Sequence, residues 1–218
     1  MRFYKQGRVP PTPHMYFVYG DGGTGKTTLF KQFPGRKLLI SFDLSTNPLI
    51  GDESVDVAVI ESSDGPRIQE LVMYWVQGAI ASSDYQAIAL DNLSALQNLV
   101  LENIDNRAKD NRQNYQKLQL WFRELSMLLR TSGKSIYATA HQVDNGANGL
   151  TAEGRYAADM NEKTFNAFTS TFDLVGRIYI KDGQRWIDLD PEQGNHAKNR
   201  IDDRKLIKAN ELIQQEEH

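Results

Sequence analysis

The sequence predicts an α/β fold, a mainly parallel central sheet between two layers of helices with an antiparallel hairpin near the C-terminal end. Three observations predict it. Short, continuously apolar runs, the mark of strands buried on both faces, alternate with longer segments whose apolar residues recur at helical spacing. The first run, "MYFVY" (Met15–Tyr19), passes through a glycine cluster straight into "KTTLFKQF". Near the end, "FDLVGRIYIKDGQRWIDLD" holds two strand-like runs joined by Lys181-Asp182-Gly183-Gln184, the pattern of a hairpin.

Taken in order, "MYFVY" is a buried strand and "GKTTLFKQF" the helix after the turn, stopped by Pro34-Gly35. "KLLISFD" is a second strand and "VDVAVIE" (Val55–Glu61) a third. "GPRIQELVMYWVQGAI" has helical periodicity and starts just after Asp64-Gly65-Pro66. "QAIALDN" is a fourth strand that ends in an acid, and helices are expected over roughly 94–106 and 113–131 before "SIYATAHQ" as a fifth strand. "VDNGANGLTAEGRYAADMNEKT" lacks steady periodicity and reads as a functional or disordered loop. "RKLIKANELIQQ" reads as a short helix in a polar tail. The organisation is an N-terminal arm (1–14), one core (15–200) and the tail (201–218), without an internal repeat or a second domain.

A chain of 218 residues supports one full core. Apolar residues at 40% and charged residues at 24% are ordinary for a soluble globular protein, and the absence of cysteine excludes disulfides and thiolate metal sites. No run is long enough for a signal peptide or a membrane span, so the expected location is the cytoplasm, that of the host cell if the gene is phage-borne. A net charge of −3 argues against the whole molecule as a polyanion binder, but the charges are segregated. Residues 41–105 carry eleven acids and one base, Arg67, whereas 106–137 carry Arg107, Lys109, Arg112, Lys117, Arg123, Arg130 and Lys134 against Asp110 and Glu124. Each such charge alone reads as solvated helix surface. As a patch, Arg107, Lys109, Arg112 and Lys117 are where a nucleic-acid contact is expected.

"GDGGTGKT", Gly20 to Thr27, fits the spacing G-x-x-x-x-G-K-[ST] of a phosphate-binding loop. Gly20, Asp21, Gly22, Gly23, Thr24 and Gly25 turn backbone amides inward, and the N-terminus of the following helix, with Thr28 in its first turn, adds its dipole. Lys26 reaches the outer phosphates and the Thr27 hydroxyl ligates magnesium. A bare glycine turn needs neither the strand before nor the lysine-threonine ending. Asp91, at the end of "AIALD", is expected beside Thr27 as a second holder of magnesium, or else as a cap for the helix at 92–94. The expected cofactors are ATP and Mg2+. No N-K-x-D element for guanine is present, and "AKNR" does not match it. The long loop carries a single arginine, Arg155, too few for a kinase lid, so both absences favour an ATPase.

The phosphate loop, "LLISFD", "IALDN", "ATAHQ", the late hairpin and "HAKNR" follow the order found in the RecA/RadA core. More narrowly, the chain resembles the short RecA-like ATPases of bacteriophages grouped with Sak-type single-strand annealing and recombination proteins, over roughly Tyr16 to Arg200. The resemblance implies a three-layer P-loop NTPase of RecA type, stimulated by DNA and by assembly. It would form a filament or ring of identical subunits on single-stranded DNA for recombination, annealing or replication. A phage or host single-strand-binding or replication protein is a further implied partner. Asp43 takes the place of the water-orienting glutamate, one methylene shorter; by itself it can equally start the "DLSTNP" turn. Gln142 resembles the sensor of the terminal phosphate, and His141 beside it either shares that task or packs. Lys198 and Arg200 match basic residues that complete the neighbouring subunit's site. The long loop with Arg155 and the basic patch correspond to the DNA-contacting loops, with Tyr115 and Tyr156 as stacking or core residues. Three other readings remain: an ATP-dependent loader or adaptor of a replication helicase, a P-loop kinase, and a non-catalytic nucleotide-binding module.

Overall fold

The computed structural model describes residues 3–104, 111–146, 155–191 and 194–213. The elements run β1 (Met15–Gly20), α1 (Lys26–Leu29), β2 (Lys37–Ser41), β3 (Val55–Val59), α2 (Ile68–Ala81), β4 (Ala87–Asp91), α3 (Leu93–Asn103), α4 (Asn111–Arg130) and β5 (Ser135–Ala140). They continue with β6 (Gln142–Asp144), β7 (Tyr156–Ala158), α5 (Glu162–Thr169), β8 (Leu174–Lys181), β9 (Gln184–Asp188), β10 (Lys198–Asn199) and β11 (Leu206–Lys208). The main sheet has the order β11-β9-β8-β1-β5-β4-β2-β3, with β10 also pairing β8. From β8 to β3 every pairing is parallel. The β8–β9 hairpin and the strands β10 and β11 pair antiparallel at the other end. This is the α/β architecture expected from the alternation of strand and helix patterns.

Alternate residues of the central strands supply two cores, because successive strand side chains point to opposite faces. Phe17 and Tyr19, Leu38 and Ile40, Ile88 and Leu90 belong to one core, completed by apolar residues of α2, α3, α4 and α5. Tyr16 and Val18, Leu39, Ala89 and Tyr137 belong to the other, with Leu29 of α1, Phe30, Phe33 and the C-terminal Ile207 and Leu212. Helices on both faces make three layers. Aromatic pairs pin each core: Phe17 meets Phe165 edge-on at 5.3 Å, and Phe30 stacks on Tyr137 at 6.0 Å. Gly20 ends β1 where it pairs with Ile178, and a Cβ there would lie 2.3 Å from the Ile178 carbonyl oxygen, so only glycine allows that approach.

Three expectations change and one holds. The helix after the glycine loop is α-helical for one turn only and continues as a 3-10 turn, Phe30–Gln32. The helix expected right after Asp64-Gly65-Pro66 is present and begins at Ile68, preceded by a 3-10 turn, Ser62–Arg67, in which Asp64 Oδ2 accepts from the Glu61 amide at 2.9 Å. The long loop contains the antiparallel pair β6–β7 and the start of α5. Asn161 caps α5 by accepting from the Thr164 amide at 3.2 Å, and the buried Phe165 and Phe168 face the core at helical spacing. The tail expected to be helical instead adds β11 to the sheet edge. Its Ile207 is buried between exposed Leu206 and Lys208, a period of two, and Ala209 and Leu212 are buried as well, so the core extends past residue 200. No helix among the described residues is long and apolar enough to cross a membrane.

Candidate active site

The strands β1, β4 and β5 end side by side, and their ends carry the polar groups. Ser41 of β2 pairs in register with Asp91 of β4, and Leu90 pairs with Ala138, which puts Thr139 next to Asp91 on the face toward α1. The Thr27 hydroxyl donates to Asp91 Oδ2 at 2.6 Å, the short distance of a bond to an ionised acceptor. The Thr139 hydroxyl donates to Asp91 Oδ1. Asp91 is 3% exposed. Burial pushes its pKa up, the two hydroxyls oppose that, Asp43 adds to it and Lys26 opposes it.

Lys26 is buried, and its Nζ donates to the Gly20 and Asp21 carbonyls at 2.8 Å each. Burial lowers its pKa, against the attraction of Asp91, Asp21 and Asp43. The loop is held in shape from below: the Tyr137 hydroxyl donates to the Lys26 carbonyl at 2.7 Å, and the Thr24 hydroxyl donates to the Asp21 carbonyl at 2.8 Å. Gly25 turns the chain into α1 at a φ of 94°, a conformation that side chains disfavour.

These groups border a cavity of about 390 Å³ whose wall includes Gly22, Gly23, Gly25, Lys26, Thr27, Thr28, Asp43, Asp91, Asn92, His141 and Arg185. A glycine-rich loop between a strand and a helix, with the buried Lys26 at its end, has the make-up of a receptor for phosphate. The Thr27 hydroxyl and the Asp91 carboxylate form an oxygen-only pair suited to magnesium, which takes one or two carboxylates and completes its shell with phosphates and water. Among the described residues no group of three or more His, Cys, Asp or Glu is placed to hold a metal ion.

Asp43 lies just past β2 and does two things. Its Oδ1 accepts from the Ser45 amide at 3.0 Å, which makes the turn, while its Oδ2 accepts from Asn92 Nδ2 at the cavity wall. Asn92 Nδ2 also lies 3.1 Å from His141 Nε2, and Asn92 Oδ1 accepts from the Ala95 amide at 2.9 Å. The cap of α3 is therefore Asn92, which leaves Asp91 to face Thr27. Gln142 sits beside the cavity rather than on its wall. It donates to Asp21 Oδ2 at 2.8 Å and accepts from Arg177 Nε at 2.9 Å. The Arg177 guanidinium lies 3.3 Å from the centre of the Tyr156 ring.

The remaining expected residues stand apart from the cavity. Lys198 Nζ donates inward to the Thr169 carbonyl at 2.8 Å, and burial holds its pKa down at about 8; Arg200 is exposed. Arg112 and Lys117 are exposed on α4 with Tyr115 between them, and the exposed Arg155 pairs with Asp144 at 3.2 Å. Arg107 and Lys109 lie outside the described residues. Sequence reasoning missed Asn92, Thr139 and Arg185. The first two carried a signal, since Asn92 follows the acid and Thr139 falls opposite it once the strands pair in parallel register. Arg185, on the hairpin, carried none.

No curated protein sequence matches the chain. A family model described as an AAA domain matches residues 12–201, which takes in the phosphate loop, Asp43, Asp91, Gln142 and the hairpin, so the chain belongs to that AAA domain family (AAA_24) and carries its P-loop nucleotide-binding fold.

Proposed function

We propose that the protein is a RecA-like ATPase that assembles on single-stranded DNA and supports phage recombination, annealing or replication. The observation that carries the nucleotide part is the 2.6 Å contact between the Thr27 hydroxyl and Asp91, set against the buried Lys26 in one cavity. Thr27 and Asp91 would hold magnesium, which when bound neutralises the outer phosphate oxygens. Lys26 would exchange its two carbonyl partners for those oxygens. Asp43, steadied through Asn92, would orient the attacking water for in-line displacement. Gln142 would sense the outer phosphate, and the exposed Arg200, or Lys198 once turned outward, would act on a neighbouring subunit.

The DNA part is supported by the exposed bases Arg112 and Lys117 on α4, next to the sequence positions of Arg107 and Lys109. The test is ATP hydrolysis with and without single-stranded DNA across a range of salt. Stimulation is expected, and each phosphate-contacting base removed should lower the slope of log affinity against log salt by about 0.7. Unchanged turnover with no DNA binding at low salt would leave an ATPase with another task. A helicase loader or adaptor is the second reading, favoured by Tyr74 and Trp75, an aromatic pair 68% and 39% exposed on α2 and suited to a protein partner. Turnover stimulated by a partner protein and not by DNA would select it.

A further inference from the structure

Gln142 is held at both ends of its side chain, and the two holders differ in kind. Its amide Nε2 donates to Asp21 Oδ2 at 2.8 Å, and its carbonyl Oε1 accepts from Arg177 Nε at 2.9 Å. We propose that Arg177 is a positioning residue for phosphate sensing: it pins the carbonyl end of Gln142 so that the amide end faces the phosphate loop. The proposal rests on the reading of Gln142 as the sensor of the outer phosphate.

Strand register brings the two residues together. β1 lies between β5 and β8, and Tyr19 pairs with Ala140 on one side and with Arg177 on the other. Gln142 stands just past the end of β5, so Arg177 reaches it across the end of β1. At that same end β1 passes through Gly20 into the loop, and Asp21 is the next residue.

The chemistry lies in which atoms can pair. A glutamine side chain ends in a carbonyl and an amide of similar size, and half a turn exchanges them. A guanidinium only donates, so a bond to Arg177 selects the carbonyl end. Ionised phosphate oxygens accept, so a sensor must turn its amide toward them. Asp21, an acceptor on the loop itself, already draws the amide that way. An outer phosphate would draw the same amide, with the bond to Arg177 as the pivot.

Arg177 is fixed in turn. Its guanidinium lies 3.3 Å from the centre of the Tyr156 ring and 5.1 Å from that of Tyr179. Tyr156 is anchored on β7: its carbonyl accepts from the Tyr19 hydroxyl at 3.0 Å, and that hydroxyl accepts from the His196 amide at 2.9 Å. Among the described residues Arg177 makes no ion pair. Its planar head, seated on rings and bonded to a neutral amide, serves orientation rather than charge pairing.

Discrimination between ligands, not turnover, tests this. Calorimetric titration of the full chain with ADP and with a non-hydrolysable ATP analogue, each with magnesium, gives a ratio of two affinities. Gln142→Ala should lower the preference for the analogue about tenfold, the worth of one hydrogen bond to a charged group. Arg177→Gln and Arg177→Met should each lower it about threefold to tenfold, since the phosphate must then immobilise the glutamine unaided. Both ligands meet the same variant, so a general loss of folded protein or of loop shape cancels from the ratio. Added to Gln142→Ala, Arg177→Met should move the ratio by less than about twofold, because Arg177 acts through Gln142. A ratio unchanged in both Arg177 variants, or a loss that persists in full without Gln142, would overturn the positioning role. A ratio unchanged in Gln142→Ala would overturn the sensor reading, and the role of Arg177 with it.

Discussion

Replacing Asp91 by asparagine should make the ligand-free protein more stable and at the same time deaf to nucleotide and magnesium. The carboxylate is 3% exposed, and burial is the first cause of its raised pKa. In proteins the effective penalty for such burial is several kcal/mol per ion, roughly 3 as a working figure. The opposing contributions are the hydroxyls of Thr27 and Thr139 and the attraction of Lys26. Asparagine keeps one carbonyl oxygen for one threonine, and the other hydroxyl can turn to accept from the new amide. The variant therefore loses mainly the added strength of charge-assisted over neutral bonds, about 1–2 kcal/mol.

The net gain is about 1–2 kcal/mol, and at about 2–4 °C per kcal/mol for a chain of this size it should raise Tm by about 2–8 °C. The gain should depend on pH. A buried carboxyl with a raised pKa keeps its proton longer than the unfolded chain does, so wild type regains stability as pH falls toward the ordinary carboxylate value of 3.8. The difference between the two proteins should accordingly shrink in acid. Thermal melts without ligand, at neutral pH and near about pH 5, measure both effects. Melts with magnesium and a non-hydrolysable ATP analogue should then stabilise wild type by mass action and D91N far less. A ligand-free D91N that melts several degrees below wild type at neutral pH would refute the reasoning, since it would mean that the two hydroxyl bonds outweigh the desolvation.

Three further outcomes follow from the same geometry. Tyr137→Phe removes the fully buried hydroxyl that bonds the Lys26 carbonyl at 2.7 Å; the stranded acceptor should cost about 1–3 kcal/mol, read as a lower urea midpoint, and an unchanged midpoint counts against it. Gly25→Ala puts a Cβ on a residue with φ of 94°, 3.1 Å from Arg185 Nε, and should cost about 1–2 kcal/mol of strain and weaken nucleotide binding by about tenfold or more, by calorimetric titration. Lys198 has a folded pKa of about 8 against the usual 10.5, so between those values the unfolded chain binds more protons and stability should rise with pH. In Lys198→Met that rise should shrink, and chemical denaturation across that window would show an identical profile only if the half-buried lysine is not its source.

What the sequence made legible was whatever rests on local pattern. Continuous apolar runs located β1, β2, β4 and β5, and the glycine-lysine-threonine spacing located the loop, because both signals lie within a few residues. The α5 helix was hidden since its first turn is polar and its apolar pair, Phe165 and Phe168, starts at the end of a glycine-rich stretch. β11 was hidden since three residues, "LIK", fit a helix or a strand equally, and only pairing with Trp186 through Asp188 of β9 decides. Arg185 joins the site through a hairpin distant in sequence, a contact that no local pattern encodes.

Asp91 occupies its place because of register, not because of a loop. β2, β4 and β5 run parallel and aligned, so Ser41, Asp91 and Thr139 stand abreast on the face toward α1. A slip of β4 by one residue would turn Asp91 to the face covered by α2, α3, α4 and α5 and present Leu90 to Thr27. The two cores prevent that slip. Ile88 and Leu90 are wholly buried on one side while the small Ala87 and Ala89 meet the Phe30, Phe33 and Tyr137 cluster on the other, and exchanging the faces would overfill one core and leave the other under-packed. The chemistry at the strand ends is thus positioned by apolar residues that never touch a ligand, and the polar groups need only local anchors: Thr27 and Thr139 for the carboxylate, Tyr137 for the loop, Asn92 for Asp43.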